Sequence, residues 1–113
     1  MFIAIYEFEI KPGTESVFRK AWLEVTKEIY LNCGSLGSRL HTTETTNTFI
    51  GYAQWPDKKT WESAPQVESS NYKANRKIMK NCLVSSRTIH QLEVLSDYLQ
   101  KTELNKSETQ GAL

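Results

Sequence analysis

The order of its periodic segments constrains the fold of this chain more than any single motif. Phe2–Ile10 alternates two sets of residues, one of them ending in Glu7 and Glu9, which is typical of a β-strand. Residues 15–31 carry apolar side chains at helical spacing. Residues 36–43 and 48–55 are again strand-like, residues 57–81 helical and residues 83–95 strand-like. This order predicts β-α-β-β-α-β, the ferredoxin-like arrangement of the α+β class with one antiparallel sheet.

The predicted order places helices on one face of the sheet only. The other face would be rich in apolar side chains, at Ile3, Ile5, Ile50, Tyr52 and Ile89. A patch of this kind is rarely left exposed by a monomer. We therefore expect a homodimer in which a second copy covers this face.

Turn and cap residues set the expected boundaries of these elements. Thr14 is predicted to cap the first helix, and Gly34 to end it in the left-handed conformation. Pro65 should break the second helical region. Gly37 and Gly51 weaken their strands, so they indicate a bulge or a close approach of a neighbouring group.

Length and composition indicate one ordinary domain. The chain has 113 residues, of which 39% are hydrophobic and 24% charged, with a net charge of +1. We expect the domain to span residues 1–96 and residues 97–113 to form a polar C-terminal tail. The charges are scattered, which disfavours a nucleic-acid partner, although the same strand order also serves RNA-binding modules.

Two further features concern location and cofactors. No apolar run approaches the length of a membrane span, and the N-terminus is predicted to be a strand rather than a signal peptide. Cys33 and Cys82 fit no metal-ligand spacing and are interpreted as buried, reduced thiols. We therefore expect a cytoplasmic protein without membrane association, metal, flavin or haem.

Several segments resemble the antibiotic biosynthesis monooxygenase (ABM) family of the dimeric α/β barrel superfamily, over about residues 1–95. The matching segments are KPG at 11–13, FRKAW at 18–22, GSLGSRLH at 34–41, YAQWPD at 52–57 and WE at 61–62. The resemblance implies a homodimer whose two sheets form a barrel, with a pocket between sheet and helices in each subunit. Some relatives oxidise aromatic polyketides or quinols with dioxygen and without a cofactor, and others degrade haem.

The haem-degrading branch of this superfamily is disfavoured. It uses an Asn on the first strand, where this chain offers Tyr6. It also uses a His and a Trp in the second helical region, at positions that Arg76 and Val67 occupy here. All three departures point away from haem degradation.

His41 is the preferred candidate for a catalytic base, with Arg39 beside it on the same strand face. An oxygenase without a cofactor must take a proton from a phenol or quinol, and a neutral imidazole can accept it. A guanidinium can stabilise the resulting anion. The alternative is that His41 makes a structural cross-strand hydrogen bond. His90 on the last strand is a second candidate, and both histidines could serve one site only if their strand faces agree.

Large aromatic residues are numerous for a chain of this size. Those predicted to line a flat pocket for an aromatic ligand are Tyr6, Trp22, Trp55, Trp61 and Tyr72. The competing interpretation is core packing, which is favoured for Trp22 and Trp61.

Two functions of different classes remain open from the sequence. The first is a small cofactor-independent monooxygenase that oxidises an aromatic or quinol-type molecule with dioxygen. The alternative is a non-enzymatic dimeric protein of the same fold that binds a small ligand or acts under stress. A polar cavity containing a histidine would favour the enzyme, and a cavity filled by Trp and Tyr rings would favour the binding protein.

Overall fold

The computed structural model describes residues 1–99 and confirms the predicted order of elements. The strands are β1 (Phe2–Ile10), β2 (Gly37–Thr42), β3 (Thr48–Trp55) and β4 (Leu83–Glu93). The helices are α1 (Glu15–Asn32), the short α2 (Lys58–Glu62) and α3 (Ser70–Cys82). Residues 97–99 are exposed and lie outside these elements, while the rest of the predicted tail, 100–113, lies outside the described residues.

The strands form one antiparallel sheet in the order β2-β3-β1-β4. This is the strand order of the ferredoxin-like fold, with β1 in the interior as its two apolar faces predict. β2 and β4 are the two edges of the sheet.

The hydrophobic core lies between the helices and one face of the sheet, here called the helix face. Phe8 of β1 and Phe49 of β3 pack there against Phe18 of α1, whose side chain is fully buried. The remaining buried members of this cluster are Ile10, Ala21, Val25, Met79 and Cys82. A second cluster continues the core toward α2 and consists of Phe2, Ala4, Cys33, Ala53, Trp55 and Val67. The two cysteines are therefore buried and free, as the sequence predicted.

The helix boundaries follow local hydrogen bonding. Asp57 caps α2 by accepting a hydrogen bond from the Thr60 backbone N–H at 2.7 Å. Ser69 caps α3 in the same way. Thr14 occupies the N-cap position of α1 as predicted, but its hydroxyl donates to the Lys11 carbonyl at 2.6 Å and makes no cap bond. Gly34 ends α1 at φ +79°, as predicted.

Different structural reasons account for the glycines at the start of β2 and within β3. Gly37 adopts φ +113°, a conformation that side chains disfavour. Gly51 lies where the Phe8 ring crosses β3, and a Cβ built at position 51 would sit 2.9 Å from Phe8 Cε2. The prediction of a close approach is therefore confirmed at Gly51.

A β-bulge in β4 changes the expected distribution of its side chains. Simple alternation along the sequence would place Thr88 and His90 on one face, but the register shifts between Ile5 and Tyr6 of β1. Tyr6 lies opposite Thr88 and Ile5 lies opposite His90, so Ile89 is the extra residue. Thr88 consequently lies on the helix face and His90 on the other face, here called the open face.

Candidate functional site

A cavity of about 520 Å³ lies between the helix face of the sheet and helices α1 and α3. It is called the inner cavity below. Its aromatic wall comes from Tyr6 and Phe8 of β1, Trp22 of α1 and Trp55 of β3. Gly51 forms part of the wall on β3, where the absence of a side chain leaves room above the sheet. The volume lies within the range of small-molecule sites.

Polar side chains enter the inner cavity at its periphery. Thr26 contributes from α1, and Ser86 and Thr88 contribute from the helix face of β4. Arg76 and Lys80, both exposed on α3, are its cationic residues on the helix side. Arg87 of β4 also lines the cavity and is paired with Glu7. The cavity therefore combines an apolar aromatic wall with hydroxyl groups and three cationic residues.

Tyr6 is held by a hydrogen bond that crosses the core. The indole Nε1 of Trp61 donates to the Tyr6 hydroxyl oxygen at 2.7 Å. Burial raises the pKa of the Tyr6 phenol, and the hydrogen bond from Trp61 lowers it by less. At neutral pH this group is a phenol, so it can donate a hydrogen bond but cannot act as a base.

The five predicted aromatic residues divide into two groups. Tyr6, Trp22 and Trp55 line the inner cavity. Trp61 and Tyr72 do not line it, and they pack against the core beside it. The Nε1 of Trp55 is itself buried and has no hydrogen-bond partner within residues 1–99.

His41 and Arg39 lie on β2 at the edge of the sheet, with both residues on the open face. Both are exposed. His41 Nδ1 lies 3.3 Å from the Ile50 carbonyl oxygen, and its ring meets Tyr52 edge-on with centroids 6.5 Å apart. The structure therefore does not bring this pair into the inner cavity, whose lining contains no histidine among the residues described.

The two histidines share a face but not a location. Arg39, Tyr52, Ile5 and His90 align in one row across the open face, through successive strand pairings. His41 begins the next row, on β2, whereas His90 is on β4 at the other edge. Three strand spacings separate these edges by about 14 Å, which is too far for one site within a single chain.

A second depression, called the outer groove, runs between α1 and the edge strand β2. Its volume is about 840 Å³. The residues that line it are Ser16, Arg19, Lys20, Trp22, Leu23, Ser38, Arg39, Leu40, His41, Thr42 and Phe49. Trp22 and Ser38 also line the inner cavity, so they form the boundary between the two.

Sequence reasoning missed the hydroxyl groups of the inner cavity and the existence of the outer groove. Ser86 and Thr88 alternate correctly along β4, which was a usable signal for a shared face. Arg76, which the sequence places only at the position of the haem-degrading branch's histidine, lies at the cavity. Thr26 carried no sequence signal, because it lies beside the apolar stripe of α1 rather than within it.

Neither a metal-binding cluster nor a membrane-spanning helix occurs in the part of the chain that the structure describes. Between Met1 and Leu99, no group of three or more His, Cys, Asp or Glu side chains is placed to hold a metal ion. Over the same residues, every helix falls short of the length and apolar character that a membrane crossing requires.

Comparison with known proteins identifies the fold. No protein-family model matches the sequence, and no curated protein matches it significantly. SnoaB from Streptomyces nogalater, described as a cofactor-independent oxygenase, superposes with a TM-score of 0.68 at 11% identity, covering 88% of this chain and 97% of SnoaB. A Bordetella bronchiseptica protein named among the antibiotic biosynthesis monooxygenases gives 0.69 at 16% identity, covering 84% and 97%.

The same architecture extends to a differently named protein. A NIPSNAP domain protein from Burkholderia xenovorans superposes with a TM-score of 0.68 at 14% identity, covering 88% of this chain and all of its own. These identities are low, so the similarity concerns the backbone arrangement rather than the side chains of a site. The chain has the α+β, ferredoxin-like fold of the antibiotic biosynthesis monooxygenases.

Proposed function

We propose that this protein is a small monooxygenase that oxidises a hydroxylated aromatic or quinol-type molecule with dioxygen and without a cofactor. The observation that carries the proposal is the inner cavity, which is large enough for a fused-ring molecule and is lined, not filled, by aromatic rings. The histidine that would favour the enzyme over the binding protein is not among its described lining residues, so the proposed base has to come from outside this cavity. The shared fold with SnoaB, a protein described as a cofactor-independent oxygenase, supports the same reaction class.

The proposed chemistry takes its electrons from the substrate. Loss of a phenolic proton gives an electron-rich anion, which transfers an electron to dioxygen. The two radicals combine at a ring carbon to give a peroxide, which takes up a proton. Loss of water from this hydroperoxide leaves a quinone, so one oxygen atom enters the ring and the other leaves as water. The protein would need to bind the anion, position it and exclude bulk solvent.

Groups around the inner cavity fit the binding part of this scheme. The Tyr6 phenol can donate a hydrogen bond to an oxygen of the substrate, since Trp61 donates to its oxygen and leaves its proton available. Arg76 and Lys80 contribute positive charge at the cavity, which favours the ionised substrate. Ser86 and Thr88 provide two further hydroxyl groups.

For proton removal we retain His41 as the proposed base, with Arg39 as its cationic neighbour. Both line the outer groove, which the inner cavity meets at Trp22 and Ser38. The His41 side chain is on the open face and this boundary is on the helix face, so a proton from a substrate hydroxyl would have to reach His41 around the β2 edge through water. His90 is more than two strands away from that boundary and is the natural control.

We further propose that the protein acts as a homodimer formed through the open face. All three helices contact the helix face, and the open face carries Ile5, Ile50 and Tyr52 only half-buried in the single chain. Ile3, which was expected to be part of this exposed patch, is already buried at 4% exposure. Sedimentation at micromolar concentration should give a dimer, and a monomer would overturn this part of the proposal.

Oxygen uptake tests the proposed reaction. The purified protein is mixed with a panel of naphthols, anthrones and hydroquinones, and dissolved oxygen is followed with an electrode. We expect uptake with at least one fused-ring phenol, one dioxygen consumed per quinone formed, and incorporation of labelled oxygen into the product. Tight binding of the panel without any uptake would instead support the non-enzymatic ligand-binding alternative.

A further inference from the structure

The floor of the outer groove is apolar, which a binding site for a small ion alone would not require. Trp22 and Leu23 of α1 face Leu40 of β2 and Phe49 of β3 across it. Leu23 is 47% exposed, so a large apolar side chain is available at the surface of the groove. A molecule that fits this floor would have an apolar body.

The rim of the groove is cationic. Arg19 and Lys20 contribute from α1, while Arg39 and His41 border the groove at the β2 edge with their side chains on the open face. No Asp or Glu is among the described residues that line it. No salt bridge within residues 1–99 involves Arg19, Lys20 or Arg39. The basic residues that form ion pairs there are Lys27, Lys73 and Arg87. This concentration of unpaired charge stands out in a chain with 14 basic and 13 acidic residues.

Cations around an apolar depression act together on an anion. A single exposed ion pair contributes little, but several charges of one sign along a cleft with low-dielectric walls focus the field inside it. Guanidinium groups also bind carboxylates through two parallel hydrogen bonds, which fixes orientation as well as charge. An apolar floor beneath a basic rim therefore suits a ligand with an apolar body and an anionic end.

The boundary shared with the inner cavity gives this site its relation to the proposed reaction. Trp22 and Ser38 line both spaces, so the inner cavity and the outer groove are adjacent at these two residues. We propose that the outer groove is an anion-binding subsite that receives the carboxylate of an aromatic acid, with Arg19 and Lys20 as its principal cations. This subsite extends the proposed function to the substrate's charge. The identity of its ligand rests on the proposed oxidation of an aromatic molecule.

The test compares a charged ligand with its neutral counterpart. Calorimetric titration measures the affinity of naphthalene-2-carboxylate and of 2-naphthylmethanol, which share the ring and differ in charge. We expect the carboxylate to bind about tenfold more tightly, and this preference to decline as sodium chloride is raised, since salt screens exposed charges. Backbone amide shifts should move at residues 16–23 and 38–42 with the carboxylate.

Charge removal then locates the subsite. In Arg19→Gln/Lys20→Gln the preference for the carboxylate should be largely lost, while affinity for the alcohol stays within about twofold. The matched control is Lys58→Gln/Lys77→Gln, which removes two exposed charges outside both cavities and should keep the preference. Arg39→Gln, which removes a cation on β2, should also weaken the preference for the carboxylate.

The proposal is overturned if the wild type binds both ligands equally or binds neither, if the double variant keeps the preference, or if the control variant loses it to the same extent. These outcomes are separable from failure of the proposed reaction, since calorimetry requires no turnover. Absence of oxygen uptake with the preference intact would remove the oxygenase and leave the subsite.

Discussion

A methyl group at position 51 would collide with the ring that packs over β3. The Cβ of an alanine there would lie 2.9 Å from Phe8 Cε2 and 3.5 Å from Tyr6 Cδ2. Carbon atoms pack at about 3.5–4.0 Å, so Phe8 must move by roughly 0.6 Å or more. Its ring is 6% exposed and lies 5.5 Å from the Phe18 ring between centroids, which leaves little room to move.

The expected cost follows from two opposing effects. Overpacking a core typically costs about 1–3 kcal/mol, whereas alanine in place of glycine within a strand recovers about 0.5–1 kcal/mol. We therefore predict that Gly51→Ala lowers the free energy of unfolding by about 1–2 kcal/mol. For a domain of this size the melting temperature should fall by about 4 °C or more.

Urea denaturation of four proteins tests this reasoning. Gly51→Ala is measured in the wild-type background and in Phe8→Leu, where the aromatic ring that causes the collision is gone. The cost of the alanine should be clearly smaller in the Phe8→Leu background, since contacting residues couple. An alanine variant as stable as the wild type, or an equal cost in both backgrounds, would refute the steric account of Gly51.

Three further predictions concern the site and the helix caps. Trp61→Phe removes the donor to the Tyr6 hydroxyl, so the pKa of this phenol should rise further above its usual range in an ultraviolet titration; an unchanged pKa would contradict the hydrogen bond. If turnover occurs, His41→Ala should lower it by about 10²–10⁴-fold while His90→Ala retains it, and the reverse result would move the base to β4. Hydrogen bonds at the α2 cap lower the pKa of Asp57, so the stability that this carboxylate contributes to the fold is present above about pH 4 and is lost on acidification. Asp57→Ala should therefore have a lower melting temperature than the wild type at pH 7, and the difference between the two proteins should shrink at low pH.

The architecture was predictable because each element carries its own signal. The alternation of β1, the apolar stripe of α1 and the breaks near Gly34 and Pro65 are local features, and together they set the order of elements. Gly51 was predictable as a site of close approach because a glycine within a strand has few other reasons to be there. The ring that approaches it could not be named, since that depends on the pairing of β1 with β3.

The bulge at Ile89 could not be predicted from local features of the sequence. Ser86, Thr88, His90 and Leu92 alternate without interruption in the sequence, and no glycine or proline marks a change of phase. The shift arises from the register that β4 adopts against Ile5 and Tyr6 of the neighbouring strand. Its consequence is that His90 lies on the open face while Thr88 remains at the inner cavity.

The candidate site was predicted in part. The aromatic residues at Tyr6, Trp22 and Trp55 do line the inner cavity. The separation of His41 from this cavity was not predictable, because the face of an edge strand is fixed by its register and not by its composition. Whether His41 has the proposed role stays a prediction.

The central claim is that an aromatic substrate is oxidised within the inner cavity, and filling that cavity tests it most directly. Thr26 of α1 is half-buried and lines the cavity, so Thr26→Trp should occupy the space of a ligand ring, whereas Thr26→Val preserves the volume. Oxygen uptake with the best fused-ring phenol is measured for both variants, with folding verified by circular dichroism. The account predicts uptake near the wild-type rate in Thr26→Val and almost none in Thr26→Trp. Full uptake in a folded Thr26→Trp variant would contradict it.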